Sequence, residues 1–320
     1  MIEFNNVSKQ YKDGTFAVKS FNAVINKGEF FVIIGPSGSG KTTTLKMINR
    51  LIELTGGTIS INDQKISEYD IHELRWNIGY VLQQIALFPN MNIEENIAVV
   101  PELKKWNRET IKQRVNELLE MVGLDPEIYR ERKPHELSGG QQQRIGVVRA
   151  LAADPEMILM DEPFSALDPM TKVKLQDDML DLQRRIQKTI VFVTHDIQEA
   201  LKLGDRICIM NNGEIVQIGT PDDILHQPAN DFVRDFVGVQ EGITNEKMNL
   251  EDIVQQTDAA QSNTSETVSV STSLQEVLDK LTQHDQVFAE GNGEMIGVIT
   301  RQAFIQYLAD HIQKRGHMNE

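Results

Sequence analysis

Short apolar runs and helical periodicities alternate along most of the chain. Phe30-Phe-Val-Ile-Ile34 is long enough and β-branched enough to predict a buried parallel strand. Met157-Ile-Leu-Met160 and Thr189-Ile-Val-Phe-Val-Thr194 read as further strands. Residues 1–84 alternate strands with Gly/Asn turns at Asn26-Lys-Gly28, Thr55-Gly-Gly57 and Ile61-Asn-Asp63. Residues 90–155 change character. From Glu109 to Val122, apolar positions at Ile111, Val115, Leu118, Leu119 and Val122 have helical spacing. Strand–helix alternation then returns until about Gly238. Residues 254–267 are polar, lack an apolar period and read as a linker. Beyond it Val268 and Val270 alternate. Leu274, Val277, Leu278 and Leu281 predict a helix, and Val287-Phe-Ala289 a strand. Gly291-Asn-Gly293 predicts a hairpin turn, followed by Gly297-Val-Ile-Thr300. A last helix carries Phe304, Tyr307, Leu308 and Ile312. The expected organisation is a domain over 1–238, a linker over 239–266 and a small unit over 267–316.

Composition narrows the classes. At 320 residues, one to three domains fit. A formal charge of −15 argues against a nucleic-acid partner, which favours a basic footprint. The single cysteine, Cys208, lies in the apolar run Arg206-Ile-Cys-Ile-Met210 and reads as a small buried hydrophobe in a reduced compartment. No stretch approaches the roughly 18 apolar residues of a membrane span. Met1-Ile-Glu-Phe4 opens on a strand-like run without a signal-peptide pattern. The expectation is a soluble chain, with any membrane spans supplied by other subunits.

The chemistry concentrates at three points. Gly35-Pro-Ser-Gly-Ser-Gly40-Lys41-Thr42 follows the first strand and precedes a helical stretch, Thr43 to Arg50. Gly35 and Gly40 let the backbone approach phosphate oxygens, and the loop N–H groups then face the β-phosphate. Lys41 adds a charge near the β/γ oxygens, and the Thr42 hydroxyl suits Mg²⁺. The phosphates would rest on a helix N-terminus. Asp161-Glu162 ends the second strand, where doubly wound sheets face their ligands. Asp161 suits the Mg²⁺ shell and Glu162 suits polarising water; such a pair can also merely cap the turn Pro163–Asp168. His195-Asp196 ends the third strand. A lone His there is more often structural, but this one emerges at the same sheet edge as Lys41 and Asp161, which favours a γ-phosphate contact.

With Leu137-Ser-Gly-Gly-Gln141, Tyr80-Val-Leu-Gln83 and Ser165-Ala-Leu-Asp168 in the same order, residues 1–238 resemble the ATP-binding cassette (ABC) ATPases. The resemblance implies an α/β P-loop NTPase cassette with a helical signature subdomain, binding ATP and Mg²⁺ between two copies of the chain. It implies that Tyr11 stacks on adenine and that Gly35, Ser37, Gly38, Gly40, Lys41, Thr42 and Thr43 cradle the phosphates. Gln83 would link the Mg²⁺ site to a membrane partner, and Thr42, Gln83 and Asp161 would serve the metal. Ser138, Gly139, Gly140 and Gln141 would clasp the γ-phosphate of the opposite subunit. Glu162 is the implied general base, His195 the switch and Asp168 the contact across the dimer. The run Ile85-Ala-Leu-Phe-Pro89 is either a tucked-in core segment or a docking surface; in the family this region accepts a coupling helix of the permease.

The C-terminal β-α-β-β-α order, with Gly297-Val-Ile-Thr-Arg301 before the last helix, resembles one cystathionine-β-synthase (CBS) motif, a small α+β unit. Such motifs work in pairs, and this one would pair with its copy in the homodimer. Residues 241–320 hold 5 Lys/Arg and 13 Asp/Glu, a net of −8, which reads as a solvated acidic surface. Ala303 stands about where family members often place a ribose-binding carboxylate, which counts against adenosine-type binding; the family resemblance nonetheless keeps cyclic di-AMP as a stimulus, beside ionic strength acting on the acidic surface.

A cassette followed by a CBS motif is similar to the osmoprotectant (glycine betaine/carnitine/choline) uptake ATPases. That implies integral-membrane permease subunits, an extracellular substrate-binding protein reached through them, and a place at the cytoplasmic face of the membrane. DNA-repair ATPases share the Leu-Ser-Gly-Gly signature but carry long coiled coils, and no sustained heptads occur here. Translation-type ATPases carry two cassettes in one chain, and one phosphate loop is present. An exporter cassette remains a competing reading.

Overall fold

The computed structural model describes residues 1–84, 86–165, 167–241, 253, 267–269, 277, 280–282, 284–291, 294–304 and 306–307. The chain divides into two compact units, Met1–Asp235 and Phe236–Glu320.

The first unit opens with two long strands, β1 (Ile2–Gln10) and β2 (Phe16–Ile25), followed by β3 (Phe30–Ile34) and helix α1 (Lys41–Ile48). Strands β4 (Gly56–Ile61) and β5 (Gln64–Lys65) complete an antiparallel sheet in the order β2-β1-β4-β5. Gly56 and Gly57, expected in a turn, lie inside β4. Gly57 has φ of +76° beside a shift in the β1–β4 register, and a Cβ there would come 2.2 Å from the Asn6 carbonyl oxygen. The glycine serves a bulge, where a positive φ and close backbone approach are needed.

After α2 (Ile71–Trp76), β6 (Ile78–Val81) leads into a helical region: α3 (Ile93–Leu103), α4 (Arg108–Met121), α5 (Pro126–Tyr129) and α6 (Gly139–Leu151). Helix α4 buries Ile111, Val115, Leu118 and Leu119, the face its spacing predicts. The remainder is β7 (Met157–Asp161), α7 (Pro169–Ile186), β8 (Thr189–Thr194), α8 (Ile197–Leu203), β9 (Arg206–Asn211), β10 (Glu214–Gly219), α9 (Pro221–His226) and α10 (Asp231–Glu241).

A six-stranded sheet runs β10-β9-β3-β8-β7-β6, parallel except for β10. Every residue of β3, β7 and β8 is buried, so both faces are covered. Phe31, Ile33, Leu159, Val191, Val193 and Cys208 share one core with Phe4 and Phe21 of the antiparallel sheet and Leu45 of α1. On the other face Phe192 packs between Phe30 and Phe164, with ring centroids 5.7 and 5.6 Å away. Burial pushes the Cys208 thiol up, which keeps it an unreactive hydrophobe.

Register matters most for function. Ile34 pairs with Thr194, Asp161 with Val193, and Val81 with Met160. The carboxyl ends of β3, β8, β7 and β6 therefore finish level. The phosphate loop, His195, Glu162 and Gln83 all leave the sheet at one edge.

The second unit holds β11 (Thr267–Ser269), β12 (Gln286–Gly291) and β13 (Glu294–Thr300), with β11 parallel and β13 antiparallel to β12. Residues 277 and 280–282 are helical, as are 301–304 and 306–307. Its core joins Val268, Val277, Leu281, Val287, Ile299 and Phe304, with Ala303 and Tyr307 packed against it. Val277 and Leu281 sit one helical turn apart, as their spacing predicts. The expected positions Val270, Leu274, Leu278, Asn292, Gly293, Leu308 and Ile312, and the linker segment 254–266, lie outside the described residues.

Candidate functional site

A cleft of about 630 Å³ opens at the level sheet edge. Ser37, Gly38, Gly40, Lys41, Thr42 and Thr43 line one side. Gly40 has φ of +99°, and a Cβ there would come 2.2 Å from the Ala17 carbonyl oxygen. Only glycine lets the loop turn into α1 this close to β2. Lys41 is buried, and its Nζ donates to the carbonyls of Gly35 and Pro36 at 2.8 and 2.9 Å. An ammonium has three N–H donors, so one remains for a ligand. Burial lowers the Lys41 pKa, opposed by the charges of Glu162 and Asp161.

Thr42 Oγ1 donates to Asp161 Oδ1 at 2.7 Å. The other Asp161 oxygen faces the Tyr80 hydroxyl at 3.4 Å and Lys46 Nζ at 3.8 Å. Burial and the Asp161 carboxylate push the Tyr80 phenol up, so it stays a donor. This hydroxyl–carboxylate set is the hard oxygen chemistry that suits Mg²⁺.

Glu162 has a left-handed backbone, φ 45°, and its N–H donates to Val193 O at 2.9 Å. Such a conformation costs a non-glycine residue of order 1–3 kcal/mol and concentrates at working sites. The strained turn aims the carboxylate into the cleft. Its Oε2 lies 3.0 Å from His195 Nδ1 and 3.4 Å from Gln83 Nε2. Three residues from the ends of three strands thus meet at one oxygen.

Tyr11 lines the far side of the cleft, half exposed. Thr15, Phe16 and Ala17 line it too, and sequence reasoning passed over them. Phe16 is 44 % exposed, an aromatic ring on the outward side of β2. Its signal was present: an aromatic beginning a strand just after the Asp13-Gly14 turn. Lys46 was also legible, one helical turn past Thr42.

The signature residues do not join this cleft. Ser138 caps α6, accepting from Gln141 N at 3.3 Å, while Gln141 Oε1 accepts from Ser138 N at 2.9 Å. Gln141 Nε2 donates to Tyr129 OH at 3.0 Å, so both ends of this amide are engaged within the chain. Gly140 lies against α7, where a Cβ would meet Thr171 Cγ2 at 2.7 Å. Gly139 has no such neighbour: among the described residues, a Cβ there would meet nothing within 4 Å. Asp168 caps α7, accepting from Thr171 N at 3.0 Å, and hydrogen bonds from Thr171 hold its carboxyl below the usual range. Neither segment lines the cleft among the described residues.

The apolar run after Gln83 divides. Leu87 is buried and Phe88 is half exposed, while Ile85 lies outside the described residues. Fully buried Asn96 holds the loop, accepting from Phe88 N at 2.8 Å and donating to Phe88 O, Met91 O and Asn92 O. Arg149 donates to Ala86 O at 2.6 Å and lies over the Phe88 ring. The segment is part core and part surface.

Residues 18–165 match the family model for ABC transporters. A glycine betaine uptake system ATP-binding protein of Escherichia coli, YehX, is 52% identical over 241 residues, covering 75% of this chain and 78% of that protein. The chain belongs to the ABC transporter family. The glycine betaine/carnitine/choline transport ATP-binding protein OpuCA of Bacillus subtilis is 60% identical over 238 residues. That match covers 74% of this chain and 62% of the relative, so the chain aligns with less than two thirds of its length. Among solved structures, the ATP-binding cassette MJ0796, dimeric and bound to ADP and Pi, is 38% identical with a TM-score of 0.61. It covers 69% of this chain and 99% of its own. Residues 262–310 match the CBS domain model. The fold is thus an ABC cassette with a CBS domain.

Proposed function

We propose that this chain is the ATP-hydrolysing subunit of an importer for a quaternary-amine osmoprotectant such as glycine betaine, choline or carnitine. One observation carries the enzymatic part: Gln83, Glu162 and His195 converge on one carboxylate oxygen beside the Thr42–Asp161 pair and the Lys41 loop. The solute class, and import over export, rest on what the relatives are named for.

Tyr11 and Phe16 hold the base. The loop N–H groups and Lys41 hold the phosphates. Thr42, Asp161 and Gln83 would hold Mg²⁺, which would supply neutralisation of charge on the phosphate oxygens. Glu162 takes the proton of the attacking water. With Nδ1 turned to Glu162, His195 Nε2 is left to face the γ-phosphate. Ser138, Gly139, Gly140, Gln141 and Asp168 serve a second copy of the chain. The open space at Gly139 supports this, since no described residue of its own chain comes close enough to require a glycine there. The half-exposed Phe88 and Met91, on a loop held by Asn96, suit contact with a permease subunit, which an extracellular binding protein loads. No described helix is long and apolar enough to cross a membrane. As for the transport ATP-binding proteins it resembles, the proposed place of the chain is the cytoplasmic face of the membrane, held there by that contact.

The test expresses the chain with its permease and binding protein in cells lacking other betaine uptake, and follows radiolabelled glycine betaine, choline and carnitine. ATP-dependent uptake of at least one is expected. Magnesium-dependent ATPase activity without uptake of any of them overturns the solute class; absence of ATPase activity overturns the enzyme.

Residues 1–238 are proposed as the catalytic domain, 239–266 as a linker and 267–316 as a regulatory unit that pairs across the homodimer. All residues assigned to chemistry precede residue 200. Ala303 packs against the small core, its N–H held by Thr300 Oγ1 at 3.2 Å, and offers no carboxylate to a ribose. Ionic strength acting on the acidic surface, or a ligand such as cyclic di-AMP, remains the stimulus. Truncation after Val239 should leave basal ATPase within about twofold and abolish the salt or ligand dependence of uptake. Uptake that keeps that dependence would make the unit an assembly element.

A further inference from the structure

The cluster around Lys172 has no part in the assignments above. Lys172 lies one turn into α7, the helix that Asp168 caps. Its Nζ makes two ion pairs: with Asp196, the N-cap of α8, and with Glu199 Oε1 at 2.8 Å. Glu199 is 3 % exposed. Its other oxygen accepts from Thr194 Oγ1 at 2.6 Å, and Thr194 Oγ1 in turn accepts from Asp196 N at 3.0 Å. Thr194 and Asp196 are the residues on either side of His195. The ring between them is 59 % exposed and is tethered by its side chain to Glu162.

We propose that Lys172 is a positioning residue: by holding Asp196 and Glu199 together it fixes the Thr194–Asp196 corner, sets the His195 ring against Glu162, and ties that ring to the helix begun by Asp168. The inference rests on the catalytic reading of Glu162 and His195. The exposed ring has little packing of its own, so its place depends on the backbone that carries it. That backbone is closed by hydrogen bonds on both flanks, and both flanks end on one ammonium. The link also gives the subunit contact at Asp168 a short path to the reacting phosphate, through α7 and Lys172.

A second tie joins the same helices, Lys202 Nζ to Asp177 Oδ1 at 2.8 Å, but it does not touch the His195 corner. It supplies the control.

The experiment uses the full chain with ATP·Mg²⁺. Lys172→Met should lower kcat at least tenfold while the Kd for a fluorescent ATP analogue moves less than threefold. Lys172→Arg should restore most of the rate. Lys202→Ala should change neither quantity. Because Lys172→Met strands Glu199 as a buried unpaired charge, Lys172→Met/Glu199→Gln is measured beside it. This pair should recover the melting temperature and not kcat. In a His195→Ala background, Lys172→Met should cost no further rate, since the two residues act through one ring. A wild-type rate in a folded Lys172→Met chain, recovery of kcat together with melting temperature in the double variant, or full additivity with His195→Ala overturns the proposal. An inactive wild-type chain overturns the catalytic reading instead.

Discussion

Glu162→Gln should abolish turnover while trapping ATP between two copies of the chain. General-base catalysis is worth about 10²–10⁴-fold, and an amide cannot accept the water proton. The amide keeps the shape of the carboxylate and one acceptor for Gln83 Nε2, now 3.4 Å away. It also removes a negative charge that would face the γ-phosphate. Binding should therefore survive or improve as hydrolysis stops. The signature residues point to the consequence: Ser138 and Gly139 are exposed and are not among the described residues that line the cleft of their own chain. With hydrolysis blocked, the shared ATP has no exit by chemistry, and the dimer should persist. Sedimentation of Glu162→Gln with and without ATP·Mg²⁺ reads this directly. A monomer under both conditions would count against the shared site, and a wild-type rate would remove Glu162 from the chemistry.

Lys41→Ala should fail differently, losing binding and chemistry together. Lys41 is 6 % exposed, and its ammonium is fixed by two carbonyls of the loop it serves. A hydrogen bond to a charged group contributes about 1.5–3 kcal/mol, so nucleotide affinity should fall roughly 10- to 100-fold. The same substitution frees the carbonyls of Gly35 and Pro36 and lets the loop relax, which removes the geometry that stabilises the transferring phosphoryl group. Turnover should drop below detection even at saturating ATP. Titration with a fluorescent nucleotide, beside an ATPase assay and a melting curve, separates the causes. Unchanged affinity in a folded protein would show that the backbone cradle alone carries the binding.

Parts of the site were legible because their chemistry is local. Gly40, Lys41 and Thr42 are neighbours in sequence, so loop, charge and hydroxyl arrive together. Asp161-Glu162 and His195 each end an apolar run, and a run of that length buried on both faces delivers its last residue to a sheet edge. The α4 face was equally plain, because Ile111, Val115, Leu118 and Leu119 repeat at the helical period. Phe16 was passed over because one aromatic beginning a strand looks like any other until the phosphate loop is placed beside it. Gly57 read as a turn because a Gly-Gly pair is ambiguous between a turn and a bulge; the partner strand β1 decides which.

The sequence by itself therefore determined the inventory: a phosphate loop, an acidic strand end, a histidine strand end, a signature segment, and a separate small C-terminal unit. Each follows from residues within about one turn or one strand of each other, where sequence separation and spatial separation agree. Only the tertiary structure decided the arrangement. The pairing of Ile34 with Thr194 and of Asp161 with Val193 makes the strand ends level, and so brings Gln83 and His195 to one oxygen of Glu162. A one-residue slip would turn each of those side chains to the opposite face. The grip of Lys172 on Asp196 and Glu199 spans two helices, α7 and α8. No local pattern announces it, because an exposed-looking lysine in an amphipathic helix acquires its partners only when the sheet sets where α8 begins.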